Sequence, residues 1–166
     1  MKKRALILAL VITLLVGSGL YWVVSAQAKS TASAHSVSGA GTSLIEGGTG
    51  APSFHPVETT FAFHWSNGQG HFECLALTPS APPGSAGSGN FDTNVMYVAG
   101  PITSVSVEGT TAVFKGTANV TGLGAGSNVP FTATALAGGQ GTTLVLVVSG
   151  LTFNEIVLTG QITVKG

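Results

Sequence analysis

Residues Glu58 to Thr78 read ETTFAFHWSNGQGHFECLALT, and this stretch decides the fold. Two runs rich in aromatic and small apolar residues, Glu58–Trp65 and Gly70–Thr78, flank Asn67-Gly68. That dipeptide is the strongest two-residue hairpin signal, because both central positions of a type I′ turn need positive φ. With Asn67 and Gly68 in the loop, Ser66 opposes Gln69, Trp65 opposes Gly70 and His64 opposes His71. Phe63 then opposes Phe72, Ala62 opposes Glu73 and Phe61 opposes Cys74. Alternation sends Phe61, Phe63, Trp65, Phe72 and Cys74 to one face, a core face, and Ala62, His64, His71 and Glu73 to the other.

The polar face of this hairpin carries the one candidate metal site. Directly opposed side chains have Cβ atoms about 4.5–5.5 Å apart, so His64 and His71 are close enough to share an ion, with Glu73 as a third ligand. Imidazole plus carboxylate suits Zn²⁺ or a similar transition metal. The plain alternative is a solvated polar face on which two histidines happen to meet. Cys74 points away from His71, so the pair does not form a nucleophile and base. A lone cysteine allows no internal disulfide, so Cys74 is either buried, its ordinary fate, or paired between chains.

Outward from the hairpin the same grammar continues. Further strands are predicted at Thr42–Glu46, Phe91–Ala99, Ile102–Glu108, Thr111–Thr121, Phe131–Leu136, Leu144–Ser149, Thr152–Thr159 and Gln161–Lys165, with loops over Thr78–Asn90 and Gly122–Asn128. Twenty-four glycines and abundant Thr and Val oppose helix and favour sheet. Short connections favour antiparallel neighbours. The expectation is all-β: an antiparallel β-sandwich or partly closed barrel of about eight to ten strands. The run Leu144–Val148 is apolar on both faces, which predicts either a central strand covered on both sides, the favoured reading, or a self-association edge.

The chain opens differently. Met1-Lys2-Lys3-Arg4 precedes an apolar stretch, Ala5–Val24, and the small-residue site Ala26-Gln27-Ala28. This is the pattern of a secretory signal, although the stretch is also long enough for an uncleaved anchor. Residues 1–28 are therefore read as signal peptide or N-terminal membrane anchor, 29–38 as a flexible linker and 39–166 as a single β-domain. The domain is expected to be secreted or held on the extracytoplasmic face of the membrane. Past residue 28, three lysines (Lys29, Lys115, Lys165) stand against Glu46, Glu58, Glu73, Asp92, Glu108 and Glu155. A net charge of −3 with no basic patch argues against a nucleic-acid partner.

The glycine-rich layout from Gly39-Ala40-Gly41-Thr42, through Phe61-x-Phe63 and Val113-Phe114-x-Gly116-Thr117-Ala118, to Leu158–Val164 resembles a class of small glycine-rich β-domains. These occur at the ends of secreted or surface proteins of bacteria. The resemblance implies β architecture and export, and it carries no active site.

Catalytic motifs do not emerge. There is no G-x-S-x-G elbow, and Asp92 is the sole aspartate to orient a triad. The carboxylates are read as scattered surface charges. The glycine clusters Gly122–Gly126 and Gly138–Gly141 lack the helix of a phosphate loop, so no cofactor is expected. Only 7% of the chain is charged, against about 25% in a typical soluble domain. The resulting Ser/Thr/Gly surface suits contact with copies of itself, a wall or a matrix. The sequence thus points to an exported, non-enzymatic domain acting by surface contact in adhesion, envelope structure or self-assembly. The alternatives are a small-ligand or metal-binding module centred on His64 and His71, and an enzyme of unrecognised type with a polar cleft.

Overall fold

The computed structural model describes residues 35–51 and 56–166; the expected signal or anchor, its cleavage position, most of the expected linker and His55 lie outside them. The described chain forms eight strands and no helix. They are β1 (Ser36–Gly47), β2 (Glu58–Ser66), β3 (Gln69–Pro79), β4 (Phe91–Glu108), β5 (Thr111–Gly122), β6 (Gly126–Leu136), β7 (Thr143–Val148) and β8 (Leu151–Lys165). Each strand pairs antiparallel with its sequence neighbour, and β1 pairs with β8, closing a barrel. Of the two expected architectures this is the barrel, and it is fully closed.

The hairpin has the register read from the sequence, from Ser66 opposite Gln69 to Phe61 opposite Cys74. Asn67 and Gly68 take φ of 53° and 79°, the paired positive values of a type I′ turn. Ser149-Gly150 turns the same way between β7 and β8, with φ of 54° and 76°.

Four boundary expectations are corrected. Phe91–Ala99 and Ile102–Glu108 are one strand, as are Thr152–Thr159 and Gln161–Lys165, because Gly100 and Gly160 bend strands instead of ending them. A Cβ on Gly100 would stand 2.1 Å from the Thr117 carbonyl oxygen, and one on Gly160 would stand 2.0 Å from that of Ala40. Only glycine lets the neighbouring backbones come so close. β1 begins at Ser36, inside the expected linker, because Ser36 and Val37 find partners in Lys165 and Val164 of β8. β6 begins at Gly126, which shortens the expected 122–128 loop.

Apolar side chains fill the interior. Phe61, Phe63, Phe72, Phe114 and Phe131 form a linked set of rings with centroids 4.9–6.4 Å apart. An eight-stranded barrel is just wide enough to be filled by side chains or to hold one small ligand. The outer wall mixes Thr, Ser and Ala with Glu58, His64, His71, Glu73 and Lys115 and with apolar Leu75, Tyr97, Val113, Val145, Val147, Ile156 and Leu158. The expected two-sided burial of β7 is corrected: Leu144, Leu146 and Val148 face inward, whereas Val147 is 40% exposed on the outside. A closed barrel covers only one face of each strand.

Candidate functional site

The two ends of the barrel differ. Towards the Asn67-Gly68 end, the phenylalanine rings fill the lumen. At the opposite end, inward side chains Ile45, Val57, Ala76, Met96 and Phe153 line an apolar cavity of about 220 Å³. Gly50, Thr78, Val95 and Leu123 complete its lining. This mouth is held by hydrogen bonds: the Gly50 amide donates to the Thr152 carbonyl at 2.9 Å, and the Leu123 amide to the Val95 carbonyl at 3.0 Å. The Thr152 amide donates to Thr49 Oγ1 at 2.9 Å.

Directly inside this apolar ring lies a polar one. Successive inward positions on a strand are two residues apart, so Ser43 follows Ile45, Thr59 follows Val57, Cys74 follows Ala76 and Glu155 follows Phe153. All four are buried, and Glu155 is only 2% exposed. Glu155 Oε2 lies 2.5 Å from each of the Ser43 and Thr59 hydroxyls, which also touch one another. Glu155 Oε1 is buried, with no hydrogen-bond partner among the described residues.

Three oxygens in mutual contact need three protons if no edge is to be a bare lone-pair repulsion. Ser43 and Thr59 supply two, so the third belongs on the carboxyl. A neutral Glu155 lets each oxygen donate once and accept once around the ring. Burial acts in the same direction: it raises the carboxyl pKa, and the Ser43 and Thr59 hydrogen bonds only partly oppose it. Burial first, and second the charge Glu155 carries once it ionises, also push the Cys74 thiol well up, against the Thr59 hydroxyl beside it. Cys74 is thus a buried thiol, not a nucleophilic thiolate.

A carboxyl whose folded-state pKa is raised adds stability that is fully present below its unfolded value, about 4.3. That stability is lost as pH rises through the folded-state value. Asp92 works in the opposite sense. Hydrogen bonds from Ser80 lower its pKa, so its contribution is lost only as pH falls below the usual aspartate range. The urea midpoint should therefore fall as pH rises from about 4.5, and Glu155→Gln should remove that slope. An identical slope in the variant would show that Glu155 is ionised throughout.

The carboxylates were read as surface charges, and Glu155 corrects that reading. The signal was present: Phe153, Glu155 and Val157 share a strand face, and both neighbours are core residues. The residues singled out in the sequence lie elsewhere, on the outer wall. His64 and His71 are opposed as read, and Glu73 Oε1 lies 3.5 Å from His71 Nε2, with the side chains of His71 and Glu73 43% and 50% exposed. With Ser38, Ala40, Ala62, Gln161 and Thr163 they border an open trough. Among the described residues, no group of three or more His, Cys, Asp or Glu side chains is arranged to hold a metal ion.

Comparison of the chain with protein-family models, curated proteins and solved structures finds no match. The function therefore rests on this geometry.

Proposed function

We propose that the chain is an exported barrel that binds a small apolar molecule at its loop-bearing mouth. The observation that carries this reading is the cavity of about 220 Å³, open to solvent at the mouth, with an almost wholly apolar lining. Barrel mouths are a common place for small-ligand sites, and a dry apolar cavity of about 150 Å³ already accepts benzene. The charged, apolar and small-residue segments at the start of the chain support the export part of this reading.

An environment-sensitive apolar fluorophore tests the proposal. The wild-type barrel should enhance its emission saturably. Ala76→Phe, which fills the cavity, should weaken binding at least about tenfold, the equivalent of one or two buried methylenes. Leu123→Glu should weaken it too, since Leu123 is a rim residue 50% exposed and its replacement leaves the core untouched. Unchanged binding in both variants would remove the mouth from consideration.

Surface contact is a second reading, favoured by the outward Val145 and Val147 among Thr132, Thr134 and Thr152 on the adjacent strands. A concentration-independent monomer in sedimentation, with no affinity for wall or polysaccharide, would count against it.

A further inference from the structure

We infer that the mouth holds its apolar ligand less tightly as pH rises, because the polar layer beneath the cavity ties the dryness of that cavity to the proton on Glu155. This inference rests on the mouth being the binding site and names how that site is regulated. Three observations support it. Ser43, Thr59, Cys74 and Glu155 are each the next inward position after a residue that lines the cavity, namely Ile45, Val57, Ala76 and Phe153, so the two layers share four strands. On the far side of the polar layer the next inward positions on β2, β3 and β8 are Phe61, Phe72 and Val157, all buried, so that side offers no water. The Ser43–Thr59–Glu155 triangle has a proton for every edge only while Glu155 is neutral.

Ionising Glu155 takes one proton from the triangle and leaves a charge in an apolar interior, which is costly. Water in the cavity one layer away lowers that cost, because the field of a charge acts across a layer of side chains. An apolar molecule that displaces this water raises the cost again, without touching the carboxyl. The ligand therefore favours the neutral form, and by linkage the neutral form favours the ligand by the same factor. Affinity is full while the carboxyl is protonated and falls as pH rises through its titration.

Few other groups face Glu155. Cys74 on β3 is the second titratable side chain in the layer, and Leu144 of β7 pairs with Glu155. The buried inward side chains of β4, β5 and β6 are apolar. On the outer wall, Glu46 of β1 borders a groove that Glu155 also borders.

Ethylbenzene, which has no titratable group, tests this on the full chain, its Kd read by displacement of a neutral apolar fluorophore. Between about pH 4.5 and 9, a span that starts at the ordinary glutamate value, the wild-type Kd should rise at least about fivefold, the low end of typical coupling between two sites. Glu155→Gln should bind with one Kd throughout. Glu46→Gln and Cys74→Ala should keep the wild-type rise. A rise that survives in Glu155→Gln, or that is lost in Glu46→Gln or Cys74→Ala, would assign the effect to another group and overturn the inference.

The wild type alone gives an independent reading. Infrared spectra report the carboxylic C=O band that persists above the ordinary glutamate range, about pH 4.3. With ethylbenzene bound, this band should fade at a pH about 0.7 unit higher than without it, the same fivefold factor on a logarithmic scale. A constant Kd and an unmoved midpoint, with ethylbenzene still bound, would overturn the inference and leave the mouth as a site. If ethylbenzene binds at no pH, the mouth itself fails as a site, and its regulation with it.

Discussion

Phe114→Ala will lower the stability of the barrel by about 3–5 kcal/mol, the cost of truncating a large aromatic side chain in a close-packed core. Phe114 is 0% exposed. Its ring stands 4.9 Å from that of Phe63 and 5.7 Å from that of Phe72, centroid to centroid. Phe72 in turn stacks on Phe131 at 5.1 Å. These rings come from β2, β3, β5 and β6, so removing one opens a void that the closed wall cannot collapse to fill. A sheet free at its edges could close up; a barrel has a circumference set by strand number and stagger. Urea unfolding should show a lower midpoint with an unchanged slope. A loss below about 1.5 kcal/mol, well short of typical large-to-small core changes, would mean that the rings do not fill the lumen as described.

Gly116→Ala should cost about 3 kcal/mol, the upper end for overpacking a filled interior, although it adds a single methyl group. That methyl would lie 2.1 Å from the Pro101 carbonyl oxygen and 2.6 Å from Cε1 of Phe131. The ring can turn aside, but the backbone oxygen cannot move without displacing β4 from β5. Gly39 serves the barrel in a related way, with Phe63 lying over it: a Cβ there would stand 2.5 Å from the Phe63 ring. The control is Gly89→Ala in the exposed β3–β4 loop, where a Cβ meets nothing within 4 Å. Its stability should stay within about 0.5 kcal/mol of wild type. Equal effects at the two positions would mean that β4 and β5 do not approach as closely as the barrel requires.

Both predictions concern residues whose strand and facing were legible beforehand but whose packing was not. Phe114 sits in an alternating run, so its inward direction follows from period two. That it touches rings from β2 and β3 depends on how the sheet curls. Gly116 read as an ordinary strand residue, while Gly100 and Gly160 read as breaks. A glycine that ends a strand and one that bends it are the same letter. The difference lies in whether a neighbouring strand is pressed against it, and that strand is supplied by closure.

The candidate site divides in the same way. His64, His71 and Glu73 were found because a two-residue turn propagates its register along one hairpin, and the structure keeps that register. They lie in an open trough on the wall. The grouping of Glu155 with Ser43 and Thr59 went unseen because β8 lies far along the chain from β1 and β2, with separations of 112 residues between Ser43 and Glu155 and 96 between Thr59 and Glu155. Each alone is a polar residue on an otherwise apolar strand face, a pattern that period-two reading can detect but cannot interpret.

Local chemistry therefore determined the strands, the hairpin register and the inward face, because turn dihedrals and side-chain alternation act over two to four residues. Closure of β1 on β8, the bending glycines and the polar ring beneath the mouth were decided by the tertiary structure alone. They depend on pairings across the length of the chain, where a shift of one residue would place every one of these side chains on the opposite face.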